Sequence, residues 1–361
     1  MRSILLNPGP VSLSDTVRKA AVDSDLCHRE PEYFATQDRV RRALLDVYGC
    51  DDLEWTSVLL GGSGTTALEA MFTSLLPRDC RLLVVENGVY GERISRIAQI
   101  HNIPHEAMHH QWMEAIDFEK LSGELASGKF THVAAVHHET TSGRLNDVFM
   151  LAEMCEEHGT GLLLDTVSSF AAEAIPFHSP AFLACAATAN KCLHGIPGLC
   201  MVLCRKSALA LAVEPPRSLT LHLPLWSEQQ DKSSTPFTPS VNSVLALDQA
   251  LKELNANGGW KARHTRYKKL AQRVERALRR YGIELMLDSG ENSCVLYSYR
   301  LPANMSYDTI HDGLKQRGFV IYAGQGKLST EMFRISTMGD ISDYDMERLL
   351  ASLHAVFSHL L

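Results

Sequence analysis

Thr188-Ala189-Asn190-Lys191-Cys192-Leu193-His194-Gly195-Ile196-Pro197-Gly198 lies between two apolar runs, Phe182 to Ala187 before it and Leu199 to Cys204 after it. Both runs have the length and composition of buried strands, so the stretch is the connection between them. A lysine held there is costly as an ammonium ion and is biased toward the neutral amine. The neutral amine is the form that condenses with a carbonyl. The plain alternative is a surface lysine in a turn. A second run, Gly161-Leu162-Leu163-Leu164-Asp165, ends in an acid. Asp165 reads either as a helix cap or as a carboxylate facing a cationic ring nitrogen.

A lysine amine and an acid at two strand ends fit pyridoxal phosphate, an electron sink held by a lysine and tuned by an acid. Four further features bear on that reading. Gly61-Gly62-Ser63-Gly64-Thr65-Thr66 follows a strand and opens a helix, where small residues and hydroxyls meet a phosphate. No Gly-Lys-Ser/Thr follows, so it is not a Walker loop. Tyr90 lies just past a strand end and either stacks on a flat ring or packs in the core. His137 to Gly143 is a pocket edge or an ordinary polar turn. Arg334 alternates with Phe333 and Ile335 and leaves its strand on the face opposite to theirs. It is suited to an acid group, or is simply an exposed strand residue.

At 361 residues the chain is long enough for a large core and two domains. It is 45% hydrophobic and 21% charged, the composition of an ordinary soluble globular protein. The formal net charge is −7, and no long basic run appears. Nucleic acid and anionic membrane surfaces are therefore not expected partners. No apolar run approaches the length of a membrane span, and the N-terminus shows no signal-peptide pattern. The nine cysteines include no C-x-x-C pair, which predicts reduced thiols and a cytoplasmic location. Cys192 adjoins Lys191 on what reads as an extended segment and is expected to face away from it. The pairs His109-His110 and His137-His138 lack the spacing of helical ligands, so no metal site is expected.

The pattern along the chain is alternating. Strands are predicted at 57–60, 81–86, 132–136, 161–165, 184–187 and 199–204. Helices are predicted at about 35–48, 91–101 and 148–158, with Ser14 capping an earlier one. Strands alternating with helices predict an α/β fold around a mainly parallel sheet. Residues 227–234 read as a surface loop. Helices over about 241–254 and 261–281 follow, then strands near 293–297, 320–322 and 333–336 and helices near 306–317 and 342–358. The expected division is a large α/β domain over 1–255 and a small α+β domain over 256–361. Residues 1–15 are expected to pack on the small domain.

The chain resembles the 2-aminoethylphosphonate–pyruvate aminotransferases, pyridoxal phosphate enzymes of fold type I in the subgroup of the alanine–glyoxylate aminotransferases. The resemblance runs nearly end to end. It rests on Asn7-Pro8-Gly9-Pro10, Cys27-His28-Arg29-Glu30, Gly62-Ser63-Gly64, Asn87-Gly88-Val89-Tyr90-Gly91 and His138-Glu139-Thr140-Thr141-Ser142-Gly143. It continues through Asp165-Thr166-Val167-Ser168-Ser169, Ala189 to Gly198, Ala262 to Tyr267, Gly318 to Tyr322 and Phe333-Arg334-Ile335. The Asn-Lys-Cys-Leu-His-Gly-Ile-Pro-Gly and Glu-Thr-Thr-Ser-Gly runs point to the phosphonate branch.

The resemblance implies an aspartate aminotransferase-like fold, with helices on both faces of the large sheet. Lys191 would carry the cofactor and Asp165 would pair with its ring nitrogen. Ser63, Gly64 and Thr65 would lie at the phosphate, Tyr90 on the ring face and Thr141 near the ring edge. Val167 and Asn190 would complete the cofactor pocket, and Gly9 and Arg334 would meet the substrate. Thr238 would reach the phosphate of a neighbouring subunit in a homodimer with shared active sites. The implied reaction is a ping-pong transamination of 2-aminoethylphosphonate with pyruvate, giving phosphonoacetaldehyde and L-alanine. Rival readings are an alanine/serine–glyoxylate-type aminotransferase, a lyase on a related aminophosphonate, and a non-catalytic binding protein. The chain departs from the pattern at Asn7, where threonine is usual, in Phe237 to Ser243, and in Ala323 to Lys327. These positions bear on the choice of amino donor more than on the chemistry.

Overall fold

The two apolar runs around Lys191 are neighbouring strands of one seven-stranded sheet. The computed structural model describes residues 2–288 and 290–360. The chain opens with a two-residue strand, β1 (Ile4–Leu5), and two helices, α1 (Asp15–Ala20) and α2 (Pro31–Asp46). Strands and helices then alternate through β2 (Trp55–Gly61), α3 (Gly64–Leu75), β3 (Leu82–Glu86), α4 (Val89–Ile100), β4 (His105–His109), α5 (Phe118–Ala126) and β5 (His132–Val136). A small hairpin, β6 (His138–Glu139) with β7 (Arg144–Leu145), precedes α6 (Val148–Glu157), β8 (Gly161–Asp165), β9 (Phe182–Thr188) and β10 (Leu199–Arg205). Helices α7 (Lys206–Ala210), α8 (Leu223–Asp231), α9 (Val241–Ala256) and α10 (Gly259–Arg279) follow. The C-terminal part holds β11 (Leu296–Arg300), α11 (Tyr307–Lys315), β12 (Phe319–Val320), β13 (Tyr322–Ala323), β14 (Met332–Ser336) and α12 (Asp343–Phe357).

The large sheet has the order β2-β10-β9-β8-β5-β3-β4. β9, β8, β5, β3 and β4 run parallel, and β10 runs against both its neighbours. The strands are apolar on both faces, because helices cover both. Leu83, Val85, Leu162 and Leu164 face one layer, where α2, α6 and α9 supply Leu44, Leu151 and Leu247. Leu82, Val84 and Leu163 face the other, where α3, α4 and α8 supply Phe72, Ile94 and Trp226.

A second, antiparallel sheet has the order β11-β14-β13. Its core takes Leu270 and Val274 from α10, Ile310 from α11 and Leu349 and Leu353 from α12. Ile4 and Leu6 also belong to this core, and β1 pairs in parallel with β12, Ile4 opposite Phe319. The Ser336 amide donates to Leu6 O at 2.8 Å. The N-terminal segment is thereby pinned immediately before Asn7-Pro8-Gly9.

Two readings of the sequence are corrected here and one strand is added. Residues 227–234 are mostly helix, not loop: α8 runs to Asp231, and Ser227 and Gln230 are buried. The Gln230 side chain accepts from Leu59 N at 3.1 Å and donates to Leu59 O at 2.7 Å. Its polarity thus covers the open edge of β2 rather than facing solvent. The strand predicted at 293–297 begins at Leu296 instead. Ser293 and Cys294 are taken up by Glu173, which accepts from Ser293 Oγ at 2.6 Å and Cys294 N at 2.7 Å. β4, unread in the sequence, is an edge strand in which only Met108 is buried, so it lacks an apolar run. No described helix is long and apolar enough to cross a membrane.

Candidate active site

The parallel strands end together on one side of the sheet, where loops converge, the usual place for ligands in such sheets. Lys191 lies in the turn between β9 and β10, and its Nζ donates to the backbone carbonyl of Pro8. Burial pushes its amine down to about 8, and the positive charges of Arg334 and Arg93 act in the same direction. Gly9 follows with φ +106°, and a Cβ on it would lie 2.5 Å from Lys191 Cδ and 2.7 Å from Nζ. Only glycine lets the N-terminal segment close over the lysine this tightly.

Residues 189–193 form a turn, so the extended geometry expected at Cys192 is corrected. Its thiol is buried against Ser168 O at 3.3 Å and Met338 Sδ at 3.4 Å. Asn190 Oδ1 accepts from Thr188 Oγ1 at 2.8 Å, which fixes the start of the turn.

Asp165 ends β8, paired in register with Val136 and Ala186. It is buried, and burial raises its carboxyl to about 6 against the Val167 amide and the charges of Arg93 and Lys191. Val167 N donates to Asp165 Oδ1 at 2.9 Å. Val167 also touches the phosphate-loop candidate: a Cβ on Gly64 would stand 2.6 Å from Val167 Cγ1. Ser63 is the N-cap of α3, and its amide donates to Thr66 Oγ1 at 3.1 Å. The first-turn amides of a helix have no intrahelical acceptor and favour an anion.

Arg93, which the sequence reading passed over, joins this end of the site to Tyr90. Its guanidinium donates to Thr65 Oγ1 at 3.4 Å and its Cζ lies 4.5 Å from the Tyr90 ring centroid. The spacing Tyr90-Gly91-Glu92-Arg93 at the start of a helix was the available signal, since residues three apart share a face. Thr141 is fully buried, and its hydroxyl donates to Glu139 Oε1 at 2.6 Å.

Arg334 is buried, so the exposed-strand alternative is excluded. Its Nε donates to Ala323 O at 2.8 Å and its Nη1 to Thr140 O at 2.6 Å. Among the described residues no carboxylate pairs with it, and burial lowers its pKa. Thr238 stands exposed on the loop before α9 and shares no hydrogen bond with the other candidates among the described residues.

Pyridoxal phosphate fits these residues. The amine and the carboxylate it needs come from adjacent strand ends, and the glycine cradle at Gly64 leaves room beside the α3 N-terminus. A buried imidazole nitrogen, His138 Nε2, has no protein partner, while its Nδ1 is 3.0 Å from Ser168 Oγ. Burial holds His138 down to about 4, so the ring is neutral, and Lys191 is near enough to act on it electrostatically. A neutral imidazole nitrogen of this kind is ready for a polar group of a bound ring.

The family description Aminotransferase class-V matches residues 19–338. The chain belongs to the class-V aminotransferases. The cofactor of this class-V aminotransferase is pyridoxal 5′-phosphate. It is 35% identical over 355 residues to a 2-aminoethylphosphonate–pyruvate transaminase of Lactiplantibacillus plantarum, covering 96% of each chain. A relative of the same name from Phocaeicola vulgatus is 33% identical over 359 residues, covering 98% of each. Among solved structures, an aspartate aminotransferase of subgroup IV from Thermus thermophilus is 25% identical with TM-score 0.90, covering 99% of this chain and 100% of that one. An alanine–glyoxylate aminotransferase from Nostoc shares the fold at 22% identity and TM-score 0.90, covering 99% of this chain and 95% of that one.

Proposed function

We propose that this class-V aminotransferase moves the amino group of 2-aminoethylphosphonate to pyruvate, yielding phosphonoacetaldehyde and L-alanine in phosphonate metabolism. One observation carries the substrate class. The Arg334 guanidinium is buried, has no carboxylate partner among the described residues, and its charge is felt at Lys191. A buried cation without a carboxylate partner calls for an acid group on the substrate. The curated relatives carry this activity in their names.

Lys191, Asp165, Asn190 and Val167 would hold the ring end of pyridoxal phosphate, with Tyr90 and Thr141 beside the ring and Ser63, Gly64 and Thr65 at its phosphate. The bound cofactor supplies an electron sink for the bond broken at the substrate carbon. Asp165 would keep a proton on the cofactor ring nitrogen. Lys191, whose amine is brought near neutrality because its ammonium is poorly solvated, would serve as the base that takes the proton from the donor carbon. Arg334 holds the phosphonate of the donor and then the carboxylate of pyruvate, and Gly9 lets the N-terminal segment close over the substrate.

Thr238, exposed in one chain, reaches the phosphate of a second subunit in a homodimer. The reading includes a cytoplasmic location, which the unpaired state of all nine cysteines supports. The division at 255/256 falls beside the Asn257-Gly258 turn between α9 and α10. Alanine formation from pyruvate tests the substrate, with 2-aminoethylphosphonate set against a panel of amino acids. A tenfold or greater preference for an ordinary amino acid would move the enzyme to the glyoxylate-type reading. Ammonia release without alanine would make it a lyase.

A further inference from the structure

Helix α4 begins beside the site with no side chain of its own to cap it. Its N-cap is Gly88, in extended conformation. The first-turn amides are nevertheless met, and by one short segment across the loop. Val89 N donates to Thr141 Oγ1 at 3.0 Å, Tyr90 N to Glu139 Oε2 at 3.1 Å and Gly91 N to the same oxygen at 3.3 Å. The other carboxylate oxygen, Oε1, accepts from Thr141 N at 3.1 Å and from Thr141 Oγ1 at 2.6 Å. Glu139 is fully buried, and a Cβ on Gly88 would drive into its side chain. An acceptor with four donors, seated on the positive end of a helix, is a strong local constraint.

The same segment reaches the other end of the site. Thr140 O, one residue along, accepts from Arg334 Nη1 at 2.6 Å. The carbonyl of Glu139 closes the turn by accepting from Gly143 N at 2.8 Å. Tyr90, Thr141 and Arg334 come from three separate elements, and each is fixed through residues 139–141. The Thr141 hydroxyl proton is committed to Glu139, which leaves that oxygen able only to accept from a ligand.

We infer that Glu139 is the positioning residue of the site, holding Tyr90 and Thr141 against the cofactor ring and, through the Thr140 carbonyl, the Arg334 guanidinium against the substrate acid. All four of its side-chain partners are protein groups, so its role is exerted through them. The inference rests on the assignment of Tyr90 and Arg334 to cofactor and substrate. Glu139→Gln tests it, because an amide nitrogen in place of either oxygen faces two N–H or O–H donors and must lose one pair. The expected result is a folded protein with unchanged far-ultraviolet circular dichroism, at least tenfold weaker pyridoxal phosphate binding, and a reduced visible dichroism band of the bound cofactor. KM for both acids should rise more than kcat falls.

Tyr90→Ala should weaken cofactor binding similarly, and the double variant should lose less than the two single losses combined. Additive losses in the double variant, or wild-type affinity, dichroism and KM in folded Glu139→Gln, overturn the inference. If Tyr90→Ala alone leaves affinity unchanged, the Tyr90 assignment fails instead. Should Glu139→Gln not fold, Thr141→Val and Thr141→Ser decide. The valine variant, which removes the hydroxyl joining Glu139 to Val89, should lose at least fivefold in cofactor affinity, and serine should restore it. Equal behaviour of the two variants overturns the inference.

Discussion

The side-chain amine of Lys191 donates to the backbone carbonyl of Pro8, so the N-terminal segment closes directly over the lysine proposed to carry the cofactor. Gly9 makes this approach possible, with φ +106° and no side chain where the lysine passes. Gly9→Ala would strain the backbone and place a methyl group against Cδ and Nζ of Lys191. The expected outcome is a folded protein whose pyridoxal phosphate affinity falls at least tenfold, read by titration of the visible absorbance band. Wild-type affinity would show that the segment moves aside without cost.

The depressed amine of Lys191 has a consequence for stability that can be signed. Folding lowers its pKa from 10.5 to about 8, so the unfolded chain binds more protons between those values. The ligand-free protein therefore gains stability from this group as pH rises from about 8 toward 10.5, and carries the full penalty below 8. The displacement corresponds to roughly 3 kcal/mol at most, less where solvent reaches the group. Lys191→Met should thus be more stable than the wild type at pH 7, with the gap closing by pH 10, in denaturant titrations of the ligand-free proteins. It should also lose turnover entirely. A gap independent of pH would mean that Lys191 is not held as a desolvated amine.

Asp165→Asn separates the fold from the chemistry. The amide oxygen can still accept from Val167 N, and a neutral group relieves the burial that raises the acid to about 6. Thermal stability should therefore hold or rise slightly. The ring nitrogen loses the charge that keeps its proton, so the rate should fall a hundredfold or more, on the order of 3 kcal/mol in barrier. Single-turnover absorbance changes with excess donor measure this directly, and an unchanged rate removes Asp165 from the cofactor.

Much of this was legible in the chain because the parallel strands are buried on both faces. The runs at 132–136 and 161–165 need no alternation to be recognised, and they end where predicted. Edge elements were not legible for the opposite reason. In β4 one buried residue, Met108, leaves no pattern, and in α8 the polar Gln230 is spent on the backbone of Leu59. The candidate site divides in the same way. Lys191 and Asp165 announce themselves as charges at the ends of apolar strands. Glu139 and Arg93 do not, because their meaning lies in partners 48 and 28 residues away, Gly91 and Thr65. Arg334 was read correctly as lying opposite Phe333 and Ile335, but the strand pattern gave no sign that its own face is buried too.

Arg334 carries the last prediction, where structure and substrate meet. Both proposed substrates bear an acid group, a phosphonate and then a carboxylate, and a ping-pong enzyme holds each in one pocket in turn. The guanidinium already spends Nε on Ala323 O and Nη1 on Thr140 O, which fixes its plane and leaves its remaining donors for a ligand. Lysine offers a point charge without that fork, so Arg334→Lys should raise KM for both substrates. Arg334→Ala should cost about 2–4 kcal/mol in kcat/KM, the range for removing the partner of a desolvated charged group. It also strands two carbonyls, so a loss of about 1–3 kcal/mol in stability should accompany it. Pyridoxal phosphate content should survive both changes, since neither touches Lys191 or Asp165. Steady-state kinetics with each substrate varied separately decide the matter. A loss confined to the phosphonate would mean that pyruvate is held elsewhere, and normal kinetics for both would remove Arg334 from the substrate pocket.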